Sequence, residues 1–176
     1  EIPNIDLYMD QVTTFMDEHF SSTKRYNEDK ILTKTMINNY TKNNLLPPSV
    51  KKKYSREHML LLILIYYFKN ILSIKDIETV LEPLREKYFS TDSALQLSDI
   101  YREVCEMEKS RIEPMKASVT EAYGKSQSSF ENVPDGEEKD KLQLFTFICS
   151  LSFDVYLKKM MIEKIVDELA SKDKKE

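Results

Sequence analysis

Apolar residues recur every three or four positions over most of the chain, which is the spacing of one face of a helix. The first such run predicts an amphipathic helix from about Asp6 to His19, formed by Ile5, Tyr8, Met9, Val12, Phe15, Met16 and Phe20. The polar segment from Ser21 to Lys30 then predicts a loop. The chain is therefore expected to begin with a helix whose inner face packs on later elements.

A second, shorter run predicts a helix that follows Thr33 and ends near Asn43 and Asn44. The threonine hydroxyl can accept a hydrogen bond from a free N–H of the first turn, and asparagine tolerates the left-handed conformation that stops helices. The inner face of this helix would carry Met36, Ile37 and Tyr40. Proline disfavours helix in the residue before it, so an extended segment should follow, Leu45 to Pro48.

Three elements are expected next. A short basic segment, 50–54, predicts a small hairpin arm, and a helix from Arg56 to about Asn70 is apolar on nearly all sides and should be buried. A fourth helix, Ile74 to Leu81, should end before Pro83. Its inward-facing residues are predicted to be Ile74, Ile77, Val80 and Leu81.

The second half of the chain predicts two long helices. The first spans roughly 97–119, with Pro114 expected to kink or split it, and a long loop should follow from Gly124 to Glu138. The last helix is predicted from about Lys139 to Ala170. With only two glycines in 176 residues, tight turns are scarce, so the fold class is predicted to be all-α with a small β-hairpin wing.

Positive charge is concentrated in one segment. Between Lys30 and Arg56 there are seven Lys or Arg residues and no Asp or Glu, so this stretch is +7 within a chain of net charge −4, and the remainder sums to −11. Such asymmetry suggests a surface that binds a polyanion, and a solvated basic loop is the alternative that charge alone leaves open.

The order of a polar helix followed by a basic arm favours DNA binding. A recognition helix points its N-terminal half at base edges, where Asn can pair with adenine and Lys with guanine. The candidate base-contacting residues are Thr33, Lys34, Thr35, Asn38 and Asn39. Candidates for contacts to the phosphate backbone are Lys51, Lys52, Lys53 and Tyr54, and Lys42 and Arg56 are further DNA-binding candidates. Tyr54 is expected either to pack in the core or to reach a phosphate, and the packing role is preferred.

Three stretches carry a family resemblance: Leu32 to Pro48, Lys52 to His58 and Leu72 to Ile77. Their order is a short helix that ends in an aromatic residue, a Leu-Leu-x-Pro-like segment, a basic arm, a Tyr-Ser pair and a helix that opens Leu-Ser-Ile. This order resembles the DNA-binding half of the mercury-resistance-regulator (MerR) family. The amino-acid sequence of residues 3–85 more closely resembles a bacterial family catalogued as domain of unknown function 1836.

The MerR resemblance implies a winged helix-turn-helix, with a recognition helix at 33–43 in the major groove and a basic wing at 49–54 on the backbone. It differs from that family at Asn38 and Asn39, where MerR proteins carry an arginine and a second aromatic residue. The expected domains are a DNA-binding domain at 1–89 and a helical dimerisation or effector domain at 90–176.

Other chemistry finds little support in the sequence. His19 and His58 are the only histidines, and no HExxH, glycine-rich phosphate loop or Gly-x-Ser-x-Gly motif occurs, so neither an enzyme nor a cofactor is predicted. Cys105 and Cys149 form no CxxC pair, which fits a reduced cytoplasmic setting. They could meet across two helices and sense metal or oxidant, although a buried apolar role is the more common one.

The expected partners are double-stranded DNA, a second copy of the chain in a homodimer, and an unknown small-molecule effector; no membrane segment is predicted. An effector pocket, a dimer interface or an ordinary core could each use the aromatic and methionine residues of the last helix, Phe145, Phe147, Phe153, Tyr156, Met160 and Met161. Two other interpretations stay open: a module that grips an acidic protein through the same basic face, and a ligand-binding or enzymatic helical protein.

Overall fold

The computed structural model describes residues 2–89 and 94–172. Helices dominate, and a single two-stranded antiparallel sheet lies among the described residues, as the sequence predicts. In chain order the elements are β1 (Leu7–Tyr8), α1 (Met9–Phe20), a 3₁₀ turn (Ser21–Thr23), α2 (Lys34–Lys42), β2 (Lys53–Tyr54), α3 (Arg56–Phe68), α4 (Ile74–Tyr88), α5 (Leu97–Gln127) and α6 (Glu137–Lys172).

The start of the chain differs from the prediction. Helix α1 begins at Met9 rather than near Asp6, because the two residues before it form β1 and pair with β2. Ile5 and Tyr8 are consequently 66% and 54% exposed instead of lying on an inner helical face. The helical spacing of these two side chains was therefore misleading, because the backbone before α1 pairs with a strand more than 40 residues away in sequence.

Helix α2 has the predicted start and end. Thr33 Oγ1 accepts a hydrogen bond from the Met36 N–H at 3.2 Å. At the other end Asn44 adopts a positive φ of 56°, and the Leu45 N–H donates to the Tyr40 carbonyl at 2.9 Å. This is the Schellman arrangement, which satisfies carbonyls that the helix itself leaves free.

The core of the N-terminal half surrounds α3, which is buried on most sides as predicted. Helices α1, α2 and α4 each contribute one apolar face to it, and the segment after α2 adds two leucines. The side chains in this core with at most 1% exposure include Val12, Met16, Ile37, Leu45, Leu46, Leu60, Leu61, Leu62, Ile65, Ile77 and Leu81.

Helix α4 is longer than predicted and does not end at Leu81. It continues through Pro83 to Tyr88, and the next residue, Phe89, packs its ring edge-on against His58 with centroids 4.8 Å apart. A proline removes one hydrogen bond from a helix, and tertiary packing beyond it can offset that loss. Ile74, expected to face inward, is 48% exposed.

Helix α5 runs as one element through Pro114, so of the predicted kink or split the split does not occur. It also includes Gly124, so the loop before α6 covers only 128–136. The end of α5 is held by Gln143, which is 5% exposed and donates from Nε2 to the carbonyls of Gln127 at 2.7 Å and Ser129 at 3.1 Å.

Backbone contacts divide the described chain into two compact units. Unit 1 comprises the described parts of Glu1–Arg102 and Val166–Glu176, and unit 2 is Glu103–Ile165, which contains most of α5 and α6. The expected functional division into 1–89 and 90–176 stays a prediction, and parts of it fall on residues 90–93 and 173–176, outside the described residues.

Candidate nucleic-acid interface

The basic arm is a minimal hairpin, residues 50–53, called here the basic hairpin. Val50 and Lys53 exchange two backbone hydrogen bonds, with N···O distances of 3.1 and 2.9 Å. The two residues between them, Lys51 and Lys52, have φ values of 51° and 64°. Two consecutive positive φ values define a type I′ turn, whose twist suits a tight hairpin.

Lysine is an unusual choice for both central positions of this turn. Asn-Gly is the common pair there, because glycine has no Cβ and asparagine tolerates positive φ, whereas most other side chains disfavour it by about 1–2 kcal/mol per residue. Lys51 and Lys52 are both exposed, so neither gains packing that would offset this cost. Strained backbone of this kind tends to persist where it serves a function, and here it presents two ammonium groups at the tip of the hairpin.

The basic hairpin is anchored to the start of α1. Tyr8 pairs with Lys53 in the sheet, and the Lys53 ammonium lies 5.3 Å from the centroid of the Tyr8 ring. A cation this close to an aromatic face is attracted by the ring's quadrupole. The sheet and this contact together fix where the hairpin leaves the body of unit 1.

Helix α2 separates its polar and apolar residues cleanly. Ile37 is fully buried and Tyr40 is 7% exposed, and burial raises the pKa of the Tyr40 phenol. Thr33 is half-buried because it caps the helix. The remaining candidates are all exposed and form the α2 polar face: Lys34, Thr35, Asn38, Asn39 and Lys42.

One acidic residue lies against this face, and sequence reasoning missed it. The Lys34 ammonium forms an ion pair with the carboxylate of Asp10 in the first turn of α1. The stretch that holds α2 and the hairpin contains no acidic residue, and the carboxylate that pairs with Lys34 comes from α1. Nothing in the spacing of Asp10 within its helix would have indicated this contact.

Contacts with two residues at the start of α1 bring the basic hairpin and the first turn of α2 together. Tyr8 contacts Lys53 of the hairpin, and Asp10, two residues later, contacts Lys34 at the start of α2. The N-terminus of α1 is therefore a shared neighbour of the hairpin and of the first turn of α2. Lys34 and Lys53, 19 positions apart in sequence, thus contribute to one region of unit 1.

The last two candidates differ in accessibility. Tyr54 is 5% exposed, and its ring meets the His58 ring edge-on at 5.4 Å, so it packs in the core as preferred from the sequence. Arg56 is exposed in the first turn of α3.

His58 joins the segment before the basic hairpin to the start of α3. Its Nδ1 accepts from the Ser55 N–H at 3.0 Å, which leaves Nε2 to donate to the Pro48 carbonyl at 3.4 Å. The ring is 2% exposed, and burial lowers the pKa of this imidazole. A neutral His58 thus links the segment before the hairpin to the start of α3.

A groove and two free thiols lie in unit 2. A groove of about 280 Å³ lies between α5 and α6, lined by Ser118, Glu121, Ala122, Lys125, Ser126, Thr146, Ser150 and Asp154. Cys105 is half-buried and Cys149 exposed, and both are free thiols. Within residues 2–89 and 94–172, no group of three or more His, Cys, Asp or Glu side chains could hold a metal ion.

The family model for a domain of unknown function, DUF1836, matches residues 1–104, more than half of the chain. The chain belongs to the DUF1836 family. The matched segment contains α1 to α4, the basic hairpin and the α2 polar face.

No curated protein and no solved structure matches the chain. The description of the family, a domain of unknown function, assigns it no activity. None of the helices in the described part of the chain has the length and apolar character needed to span a bilayer.

Proposed function

We propose that this chain is a DNA-binding transcription regulator whose N-terminal unit acts as a MerR-like winged helix-turn-helix. Helix α2 would enter the major groove with its polar face towards the bases, and the basic hairpin would serve as the wing on the phosphate backbone. The observation that carries this proposal is the shared position of the two elements at the N-terminus of α1, through Tyr8–Lys53 and Asp10–Lys34.

The chemistry of the α2 polar face supports base recognition. Asn38 and Asn39 are exposed on it, and an asparagine amide can bind adenine N6 and N7 in a bidentate manner. The first turn of α2 also leaves backbone N–H groups free to meet a phosphate, apart from the one that Thr33 accepts.

The basic hairpin supports a second, sequence-independent contact. Lys51 and Lys52 project from a turn that lysine does not favour, and each phosphate they neutralise releases counterions. Affinity should therefore fall steeply with salt, and each lysine removed should lower the slope of log K against log salt by about one.

The proposal is tested by selecting bound fragments from genomic DNA of the source organism at two salt concentrations. We expect one enriched sequence, bound with an affinity that falls with salt. The same assay on Asn38→Ala should lose sequence preference while nonspecific binding remains, and Lys51→Ala with Lys52→Ala should weaken binding to all sequences. Lys116→Ala, an exposed lysine of α5, is the matched control.

Two results would overturn the proposal. The first is no enriched sequence at either salt concentration. The second is equal loss of affinity in the hairpin variant and the Lys116→Ala control, which would mean that the basic hairpin makes no specific contribution. Salt-sensitive binding to an acidic protein together with no DNA binding would favour a protein-interaction module instead.

A further inference from the structure

One side chain near the end of α6 is buried between exposed neighbours. Val166 is 4% exposed, whereas the large apolar side chains on either side of it, Ile165 and Leu169, are 55% and 42% exposed. Backbone contacts place Glu103–Ile165 in unit 2 and the residues of α6 from Val166 onward in unit 1. The burial of Val166 therefore coincides with the point at which α6 becomes part of unit 1.

A groove that Val166 lines identifies the neighbour of this part of α6. The groove has a volume of about 280 Å³, and all its lining residues belong to unit 1. Lys75, Asp76 and Thr79, in the first half of α4, form one wall. The other wall is formed by residues 166–171, called here the α6 brace. The α6 brace is thus a neighbour of α4.

Helix α4 lies between the α6 brace and the core of unit 1. Lys75 and Thr79, which line the groove, are about one helical turn apart. Successive helical residues are about 100° apart, so these two lie across α4 from Ile77 and Leu81. Ile77 and Leu81 are buried in the core. One side of α4 therefore packs on the core, and the α6 brace lies on the other side.

Helix α4 also contacts the end of α2. The Asn44 amide donates to a Glu78 carboxylate oxygen at 3.4 Å, and Asn44 is the residue of positive φ that ends α2. Leu45 and Leu46, which follow it, are buried in the same core as Ile77 of α4. A displacement of α4 would therefore reach the backbone that fixes the C-terminal end of α2.

The α6 brace is remote in sequence from the elements that it neighbours. The DUF1836 match ends at residue 104, and the brace is the last part of a 36-residue helix that lies mostly in unit 2. The division at residue 90 expected from the sequence separates the brace from α2 and α4. Unit 1 is instead completed by a segment well beyond the family match.

We infer that the α6 brace holds α4 against the end of α2, which makes Val166 a positioning residue for the recognition helix. Val166 acts through α4 and makes no contact with DNA itself. The consequence for DNA binding rests on the proposed function, but the effect on α2 is measurable without DNA. Failure of the inference and failure of the proposed function are therefore distinguishable.

The first test is hydrogen exchange of the full chain without DNA, followed for individual amides by NMR. Val166→Asp puts a carboxylate at a buried position and should displace the α6 brace. The amides of Asn43 and Leu45, hydrogen-bonded at the end of α2, should then exchange at least about 10-fold faster. Ile165→Asp, the matched control, adds the same carboxylate at the exposed neighbouring position and should leave both amides unchanged.

Two milder variants keep the test valid if Val166→Asp loses its helix content by circular dichroism. Val166→Ala removes two methyl groups without adding charge and should speed exchange at Asn43 and Leu45 about 3-fold. Val166→Ile keeps a branched apolar side chain beside a groove with room for one more methyl group, so it should exchange as the unaltered chain does. A role limited to the local packing of α6 would confine faster exchange to α6.

The second test measures binding to the DNA sequence enriched by selection. Val166→Asp, or Val166→Ala if the aspartate variant unfolds, should bind it about 10-fold or about 3-fold more weakly than Ile165→Asp does. The slope of log K against log salt should not change, because no phosphate contact is lost. If the unaltered chain binds no DNA, the proposed function fails, and the exchange rates alone still decide whether the α6 brace holds α2.

Three results would overturn the inference. The first is exchange at Asn43 and Leu45 that is as slow in the Val166 variants as in Ile165→Asp. The second is faster exchange confined to α6. The third is faster exchange at the end of α2 together with DNA affinity equal to that of Ile165→Asp, which would mean that Val166 does not position the recognition helix for binding.

Discussion

The Lys34 ammonium at the start of α2 is ion-paired with the Asp10 carboxylate in the first turn of α1. Both side chains are exposed, Lys34 by 59% and Asp10 by 77%, so the pair contributes little to stability, within about 0–1 kcal/mol. Under the proposed function its consequence lies in binding instead, since the Asp10 carboxylate would compete with DNA phosphates for Lys34.

Removal of this carboxylate should strengthen DNA binding. In Asp10→Asn, we expect affinity to rise a few-fold at low salt with little change in thermal stability, measured by fluorescence anisotropy and thermal melting. Asp17→Asn is the matched control, because it removes an acid from the same helix whose partner is Lys24 instead of a residue of the α2 polar face. An affinity that falls in Asp10→Asn would mean that the pair positions Lys34 for its contact.

Replacement of the hairpin tip by the preferred turn sequence should move stability and affinity in opposite directions. In Lys51→Asn with Lys52→Gly, the free energy of unfolding should rise by about 1–2 kcal/mol because both residues suit positive φ. DNA affinity should fall, and the salt slope should drop by about two. Lys51→Ala with Lys52→Ala should lose affinity without gaining stability, so urea unfolding of the two variants separates backbone strain from charge.

The end of α2 offers a test of local backbone conformation. Asn44 holds a φ of 56° at the Schellman position, so Asn44→Gly should be neutral or stabilise by up to about 1 kcal/mol, and Asn44→Ala should destabilise by about 1 kcal/mol. The Asn44 amide also lies 3.4 Å from a Glu78 carboxylate oxygen. Glu78→Ala removes that contact alone. If Glu78→Ala lowers the free energy of unfolding as much as Asn44→Ala does, the effect belongs to the side-chain contact and not to the backbone conformation.

Stability should depend on pH through His58. Burial lowers the pKa of this imidazole, so below about pH 6.5 the unfolded chain takes up a proton that the folded chain resists. The contribution of a neutral His58 is therefore complete above about pH 6.5 and is lost as pH falls towards the lowered folded value, with a limiting slope of about 1.4 kcal/mol per pH unit.

Chemical unfolding at a series of pH values measures this slope. His58→Gln should flatten the curve below about pH 6.5, even though the variant is less stable overall. His19→Gln, which removes the exposed histidine of α1, is the matched control. An unchanged slope in His58→Gln would assign the pH dependence to other groups.

Local signals in the sequence were sufficient for most helices. Thr33 as a cap, Asn44 as a stop and the apolar run of α3 each act within a few residues, so their outcome follows from propensity and hydrogen bonding close by. The expected stop before Pro83 was wrong because a single missing N–H is a local cost. The packing of residues beyond Pro83 decides whether the helix continues.

In the candidate interface, too, some features follow from the local sequence and others from tertiary contacts. The sequence by itself determined that 30–56 is basic and free of acids, that α2 has one polar face, and that two lysines sit in a turn. Only the tertiary structure decided that β1 pairs with β2 and that Asp10 reaches Lys34. The physical reason is that charge and periodicity are properties of neighbouring residues, whereas strand pairing and ion pairs depend on which distant segments the core brings into contact.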